Sequence, residues 1–458
     1  MIPFSFAGLW SGRTTRGLRF SEQPSKEMRW PADYFDYIDA QGIVLDPKQR
    51  QAMIWEQAQR LAQSLGGKLA DDPALLTEVT NLVERPTAML GSFEERYIQN
   101  LPPEVLIGVM RKHQRYFPVI DAQGNLLPHF VFVRNGDERY QEVVVDGNLQ
   151  VIHARFADAE FFIQEDQQKK LEEFIPKLSQ LIFQKDLGSM LDKTRRIQQL
   201  VKSIGQRLGL SQAEQIIVDR TAELCKADLA TAMVVEMTEL QGVMGRYYAK
   251  LSGELEEVAE GIFEHYLPRN AEDRLPEGKP GTLVGIADRL DSIAGLFAVG
   301  LAPSGSKDPF ALRRAALGLV QLLIGKGLEF DLDWGLTRAG ELLPVNFSEE
   351  DKQAAFEFIT GRLRGLMLEQ GYRYDVVDAV LHRQAVNPAK AQGYIDTLSK
   401  WVARPDWMFI LPAYSRCVRI TRDLDQKFSI QENLFVEPAE TELFDALLKA
   451  QRTLAGSE

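Results

Sequence analysis

Apolar residues recur at three- and four-residue intervals along most of this chain, which is the spacing of amphipathic α-helices. The pattern predicts helices over five stretches in the middle of the sequence: 154–184, 191–208, 213–235, 254–266 and 283–301. Further helices are predicted after Phe330, with interruptions at Pro344, Pro388 and Pro405. The middle and end of the chain are therefore expected to be mainly helical.

The first 145 residues follow a mixed pattern. Asp46 stands before a proline, as is typical of a helix N-terminus, and predicts a helix over 47–65. Another helix is predicted to begin near Pro103. Two β-rich runs on either side of Gly124 predict a β-hairpin over 116–133. The N-terminal part is thus expected to be an α+β unit.

Composition narrows the class of protein without identifying it. The 458 residues are enough for two to four domains, and 45% hydrophobic and 26% charged residues are ordinary globular values. Two cysteines, Cys225 and Cys417, exclude a disulfide scaffold. No apolar run reaches the roughly 20 residues of a membrane span, and no secretory signal is visible, so a cytoplasmic protein is expected. A net charge of −12 argues against a surface that coats nucleic acid, but local basic patches remain compatible with RNA binding.

The most informative stretch places cations where a helix disfavours them. Asp308 and Pro309 predict a helix N-cap and first helical position, followed by an almost wholly apolar run. Arg313 and Arg314 fall in or near the first turn, where the helix dipole opposes positive charge, and Lys307 lies just upstream. Two interpretations are open: ion pairs with Asp308 and other acids of the protein, or a clamp for a phosphate or carboxylate.

Two other groups of cations are candidates for the same chemistry. Arg111 and Lys112 lie side by side, and Arg416 and Arg419 are spaced as neighbours on one helix face. A solvated or ion-paired face is the alternative for each group. If they bind RNA, such residues position the phosphate backbone and do not read its sequence.

The run Ser-Gly-Ser-Lys-Asp-Pro-Phe-Ala-Leu-Arg-Arg that ends at Arg314 closely resembles a signature of the β subunit of bacterial heterotetrameric glycyl-tRNA synthetase. Six further motifs look like that family and follow its order: Ser11–Gly17, Val79–Glu84, Met110–Pro118, Leu240–Tyr248, Glu264–Arg269 and Ala287–Asp291. The resemblance spans essentially the whole chain.

This resemblance implies a domain organisation. An α+β domain similar to the B3/B4 module of phenylalanyl-tRNA synthetase is expected over 1–145, and a mainly helical HD-like domain over 146–325. A helical linker region is expected over 326–410, and the start of an anticodon-binding helical bundle over 411–458. Because the family's β subunit is longer at both ends, the B3/B4-like domain and the bundle are expected to be incomplete here.

The resemblance also implies a function. In the family, a separate α subunit uses ATP with magnesium to activate glycine, and the β subunit binds tRNA and supports assembly, with an α2β2 complex expected. No nucleotide-binding motif is visible here, so this chain alone is expected to be inactive and to bind no cofactor. The expected partners are the α subunit and tRNA-Gly, without a membrane. The candidate tRNA-binding residues are Lys307, Arg313, Arg314, Arg416, Arg419, Arg111 and Lys112.

Active HD domains bind metal through histidines and aspartates, and this sequence departs from that pattern. Lys193 stands near the position of the first histidine, and Cys225 with Lys226 stands where a His-Asp pair is expected. A protonated lysine has no lone pair for a metal. No metal is therefore expected, with His265, Asp288 and Asp291 as the residual ligand candidates. Two alternative functions remain open: a metal-dependent HD-type phosphohydrolase, and a purely structural partner of the α subunit.

Overall fold

The computed structural model describes residues 2–19, 21–305, 307–424, 426 and 429–455 of the chain. Two compact units can be distinguished, one reaching to Gln392 and the other beginning at Gly393. None of the helices in the described residues is long and apolar enough to cross a membrane.

Strands are confined to the first half of the described chain. They are β1 (Ser5–Phe6), β2 (Leu9–Trp10), β3 (Thr14–Arg16), β4 (Ser25–Glu27), β5 (Lys68–Leu69), β6 (Pro86–Ser92), β7 (Phe117–Ile120), β8 (Leu126–Asn135), β9 (Ile182–Gln184) and β10 (Gly188–Ser189). Three two-stranded ribbons pair β1 with β2, β3 with β4 and β9 with β10, while a four-stranded antiparallel sheet has the order β5-β7-β8-β6.

Helices make up most of the rest. Those before the middle of the chain are α1 (Asp33–Ala40), α2 (Pro47–Ser64), α3 (Pro73–Leu82), α4 (Arg96–Asn100), α5 (Pro103–Gly108), α6 (Gln141–Asp166), α7 (Met190–Arg207), α8 (Gln212–Leu224) and α9 (Ala232–Glu236). Those after it are α10 (Val243–Leu251), α11 (Glu256–Glu264), α12 (Lys279–Ala298), α13 (Leu312–Gly325), α14 (Leu332–Gly340), α15 (Glu349–Glu369), α16 (Tyr374–Gln384), α17 (Pro388–Val402), α18 (Trp407–Thr421) and α19 (Pro438–Ala455).

The four-stranded sheet buries both faces. Successive side chains of a strand point to opposite faces, so Val131 of β8 joins a core with α2 and α3, while Phe130 and Phe132 join a second core. This second core continues into α6, α9, α10 and α11. The predicted hairpin over 116–133 is confirmed as β7 and β8. The predicted helix after Asp46 is confirmed as α2, and the Asp46 carboxylate accepts a hydrogen bond from the Lys48 N–H.

Two predicted helices are wrong in extent. The helix expected over 154–184 ends at Asp166 and is followed by a 3-10 segment containing Pro176, which lacks the N–H that an α-helix needs. The helix expected over 213–235 stops at Leu224. The Asp166 carboxylate accepts hydrogen bonds from the N–H groups of Ala232 and Met233, so a new helix, α9, begins there instead.

Helix α12 is the centre of the helical region, because α7, α8, α11, α13, α14 and α15 all pack against it. Fifteen of its 20 residues are buried, as expected of a helix that is apolar on nearly every side. The buried Glu264 carboxylate accepts hydrogen bonds from the N–H groups of Glu277 and Gly278 just before α12 begins. Arg289 and Asp291 of α12 are buried and therefore face neighbouring helices and not solvent.

The unit that begins at Gly393 contains α18 and α19. Arg416 and Arg419 lie on α18 and are exposed. None of the α18 residues is buried. Phe435 and Phe444 pack edge to face with their ring centroids 5.6 Å apart.

Candidate functional site

A buried charge cluster lies where α8, α11 and α12 meet. The Lys226 ammonium follows the C-terminal end of α8 and donates hydrogen bonds to Asp288 Oδ2 and to His265 Nε2, each at 2.8 Å. It also lies 4.2 Å from the centroid of the Tyr266 ring. Lys226 and His265 are both buried. The lysine charge is thus balanced by a carboxylate and an aromatic face in place of water.

A second lysine binds the other side of the same carboxylate. Lys193 Nζ lies 2.8 Å from Asp288 Oδ1 and 2.9 Å from Asp291 Oδ2. Arg196, one turn further along α7, contacts both oxygens of Asp291 through its guanidinium. Asp288 and Asp291 lie one turn apart on α12, so Lys193 can contact both carboxylates while Arg196 contacts Asp291.

The protonation states follow from these contacts. Burial alone would raise the pKa of the Asp288 carboxyl. The charges of Lys193 and Lys226 outweigh this effect and hold the pKa well below its usual value. Burial and the Lys226 charge hold the pKa of His265 well below its usual value. His265 Nδ1 lies 2.6 Å from the Ile262 carbonyl oxygen. The ring is therefore neutral, donating from Nδ1 and accepting at Nε2.

The residual metal candidates do not converge on a common vacant point. Lys226 Nζ lies between His265 and Asp288, while Asp291 is bound by Lys193 and Arg196. Within the described residues, no group of three His, Cys, Asp or Glu side chains is arranged to hold a metal ion. A divalent cation at Asp288 would have to displace an ammonium group.

Arg289, next to Asp288 on α12, was not singled out by the sequence. Its guanidinium donates to five backbone carbonyls at 2.9–3.1 Å: those of His265, Tyr266, Leu267, Pro268 and Gly285. It fixes the segment 265–268 against α12. Burial lowers the pKa of Arg289 to about 10. No motif distinguishes an arginine that binds only carbonyls, because any residue type can supply them.

A cleft of about 370 Å³ opens beside this cluster. Its lining comes from four segments, 239–241, 263–269, 288–292 and 310–315, each of which overlaps a family-like motif. His265 and Arg289 form its buried part, and Asp288 beside them is partly buried. Five exposed residues border its mouth: Glu239, Gln241, Arg269, Phe310 and Arg314. Segments remote in sequence thus meet at one cavity, which neither spacing nor periodicity could reveal.

The mouth of the cleft contains the start of α13, and the predicted position of this helix start is wrong. The helix begins at Leu312 and not at Pro309, with Ala311 in the left-handed region at φ 54°. A turn closes first, because the Ala311 N–H donates to the Asp308 carbonyl oxygen. The Asp308 carboxylate still caps the helix, accepting from the N–H groups of Leu312 and Arg313.

The three cations of this motif have different surroundings. Arg313 donates to the Gly305 carbonyl oxygen at 2.6 Å and is partly buried. Lys307 and Arg314 are exposed. None of the three charged groups forms an ion pair with a carboxylate of the described residues. Ion pairing within the chain, one of the two interpretations of this motif, therefore has no support in these surroundings.

The other candidate cations lie elsewhere. Arg111 forms an ion pair with Asp72, whose carboxylate also caps α3. Lys112 follows in the same π-helical turn at Val109–Gln114 and is exposed. The neighbouring His113 lies 3.3 Å from Glu239, which lines the cleft. The 111–113 segment is thus linked to the cleft through one acidic residue.

Comparison with known proteins gives a consistent result. A family model described as glycyl-tRNA synthetase beta subunit matches residues 1–382. A glycine–tRNA ligase β subunit from Moorella thermoacetica is 42% identical over 98% of this chain, and one from Myxococcus xanthus is 40% identical over all of it. The chain spans 66% of the length of each of these relatives. The chain belongs to the glycyl-tRNA synthetase β subunit family.

Proposed function

We propose that this chain is the tRNA-binding and assembly part of a glycine–tRNA ligase β subunit. The observation that carries the proposal is 42% identity over 98% of the chain to a protein of that name. In the proposed complex, a separate α subunit uses ATP with magnesium to activate glycine and to glycylate tRNA-Gly. The two subunits form an α2β2 assembly in the cytoplasm, and this chain alone is inactive.

The exposed cations are proposed to contact tRNA phosphates. Four cations have solvent-facing charges available to a ligand: Arg314 at the mouth of the cleft, Lys307 upstream of α13, and Arg416 and Arg419 on α18. Arg313, Arg111 and Lys112 are proposed as secondary contacts, since Arg313 already binds a carbonyl and Arg111 a carboxylate. Such contacts supply affinity and salt dependence and carry no sequence information.

The domain assignment remains part of the proposal. A B3/B4-like α+β domain over 1–145 and an HD-like domain over 146–325 suit the change from mixed to helical structure. In the HD-like domain, Lys193 and Lys226 replace metal ligands and neutralise Asp288. This substitution weighs against the phosphohydrolase alternative, because the chemistry of that class requires a metal where two ammonium groups lie.

Two measurements test the proposed function. In a mobility-shift titration, the chain should retard tRNA-Gly; unchanged tRNA mobility would favour a purely structural partner of the α subunit. The purified chain should give no glycine-dependent ATP–pyrophosphate exchange, and addition of an α subunit should supply it. Exchange by the chain alone would overturn the proposed division of labour.

A further inference from the structure

The cleft beside the lysine cluster carries an excess of positive charge. Among its lining residues, Arg269 is neutralised by Asp273 at 2.7 Å, and Asp288 is held between two ammonium groups. Arg289 binds only carbonyl oxygens, and Arg314 has no carboxylate partner in the described part of the chain. Glu239 is the other acidic residue of the lining, so the guanidinium groups of Arg289 and Arg314 still leave the described lining with an excess of positive charge. Such an excess beside a low-dielectric wall attracts an anionic ligand.

The lining also offers aromatic surface. Phe263, Tyr266 and Phe310 all border the cavity. Guanidinium and ammonium groups occupy faces of the first two rings: Arg246 lies 4.6 Å from the Phe263 centroid and Lys226 lies 4.2 Å from that of Tyr266. Phe310 is 38% exposed. Its ring is therefore the one most available for stacking by a planar ligand.

Phe310 and Arg314 reach the cavity from the same motif, four positions apart across the start of α13. An aromatic ring and an arginine that line one cavity are groups that can hold a single unpaired nucleotide, since the ring stacks on the base and the guanidinium binds the phosphate. A volume of about 370 Å³ lies at the lower end of the range for small-molecule sites and suits one such unit.

We infer that this cleft binds one nucleotide, with its base stacked on Phe310 and its phosphate bound by Arg314. This goes beyond the proposed function, because phosphate contacts along a tRNA backbone need neither a cavity nor a stacked base. The nucleotide can be free in solution or can be an unpaired residue of an RNA strand, since both present the same base and phosphate.

The first test uses adenosine monophosphate, adenosine and inorganic phosphate with the full chain, measured by isothermal titration calorimetry. The monophosphate should bind at least about tenfold more tightly than adenosine, because a charge-assisted contact to phosphate is lost in the nucleoside. Arg314→Gln should abolish this difference and Arg314→Lys should restore part of it. Phe310→Ala should weaken binding of the monophosphate but not of inorganic phosphate.

Arg60→Gln is the matched control, because Arg60 is an exposed arginine of α2 whose ion pair among the described residues is with Glu56 one turn away. It should leave all three affinities unchanged. Equal affinities for the monophosphate and adenosine, or equal effects of the Arg314 and Arg60 variants, would overturn the inference. Melting curves of each variant check that the fold persists, and Phe310→Ala and Arg314→Gln should both melt as the parent does.

A competition arm separates the two sources of the nucleotide. A short single-stranded RNA should displace the monophosphate if the site accepts a nucleotide within a strand, and should fail to do so if only free nucleotides enter. Failure of the inference also differs from failure of the proposed function. A chain that retards tRNA but binds no monophosphate, and whose tRNA binding is insensitive to Phe310→Ala, refutes nucleotide binding in the cleft and leaves the proposed function standing. A chain that binds the monophosphate but not tRNA refutes the proposed function and leaves the cleft site standing.

Discussion

The Lys226 ammonium lies 2.8 Å from the Asp288 carboxylate, although the two residues are separated by 62 positions of the chain. Lys226 is buried and the Asp288 side chain is only 15% exposed, so a charge without its partner is costly here. Lys193 lies at the other carboxylate oxygen, so Asp288 contacts two ammonium groups, each at 2.8 Å. The charge of this carboxylate is thus balanced by two side chains of the protein itself.

The first prediction concerns this pair. Lys226→Met should lower the free energy of unfolding by about 1–3 kcal/mol, because Asp288 keeps only Lys193 as its cation and His265 Nε2 loses its donor. In an Asp288→Asn background, the same change should cost at least about 1 kcal/mol less. Urea unfolding combined with hydrogen exchange of the α12 amides measures both values.

The control for this cycle is Lys202→Met, which removes an exposed lysine of α7. It should change stability by no more than about 0.5 kcal/mol. Equal costs of Lys226→Met in the two backgrounds would show that the charge of Asp288 is not what Lys226 compensates.

Arg289→Lys is the second test, since it keeps the charge but changes the geometry. A lysine has three donors at one point and cannot reach five carbonyls arranged around a planar guanidinium. We expect a loss of about 1–3 kcal/mol and faster hydrogen exchange over 265–268. Arg207→Lys, at an exposed arginine of α7, should have no measurable effect. Unchanged exchange over 265–268 would mean that other contacts fix this segment.

The neutral state of His265 gives a pH prediction. Because the folded pKa lies well below its usual value, the unfolded chain takes up a proton first as the pH falls. The free energy of unfolding that depends on neutral His265 is fully present above about pH 6.5. Below that pH it falls by at most about 1.4 kcal/mol per pH unit. His265→Gln should remove this loss, so the stability of the variant relative to the parent should rise as the pH falls from 6.5 to 5.

Nitrogen-15 NMR of the imidazole provides the direct check. The Nδ1–H tautomer should persist as the pH is lowered through 6, because Nδ1 donates to the Ile262 carbonyl. His382→Gln, at an exposed histidine of α16, is the control and should not alter the pH dependence of stability in the same way. An imidazolium signal for His265 near neutral pH would contradict the assigned role of Lys226 as its donor.

The sequence predicted local structure better than long-range contacts. The Asp46 cap of α2 and the 116–133 hairpin depend on neighbouring residues, and both are confirmed. The break between α8 and α9 was not predicted, because Asp166, which caps the start of α9, lies 66 positions away in the sequence. No local pattern records such a partner.

The same limit applies to the site. Lys193, Lys226 and Asp288 were singled out because a family resemblance aligned them, and they do lie together. The role of Arg289 was not predicted, because its partners are backbone carbonyls, which every residue type has. That Phe310 and Arg314 share a cleft with His265 depends on the packing of α11, α12 and α13, which the sequence does not determine by inspection.

The last prediction concerns the cations proposed to bind tRNA phosphates. Lys307→Ala and Arg314→Ala should each flatten the slope of log K against log salt by roughly 0.7 to 0.9, equally for cognate and non-cognate tRNA. Neither change should lower the melting temperature, because both side chains are exposed and pair with no carboxylate of the described residues. Arg111→Ala should flatten the slope less, since its guanidinium already binds Asp72. A lowered melting temperature for Arg314→Ala with an unchanged slope would assign this arginine to the stability of the fold and remove it from the tRNA surface.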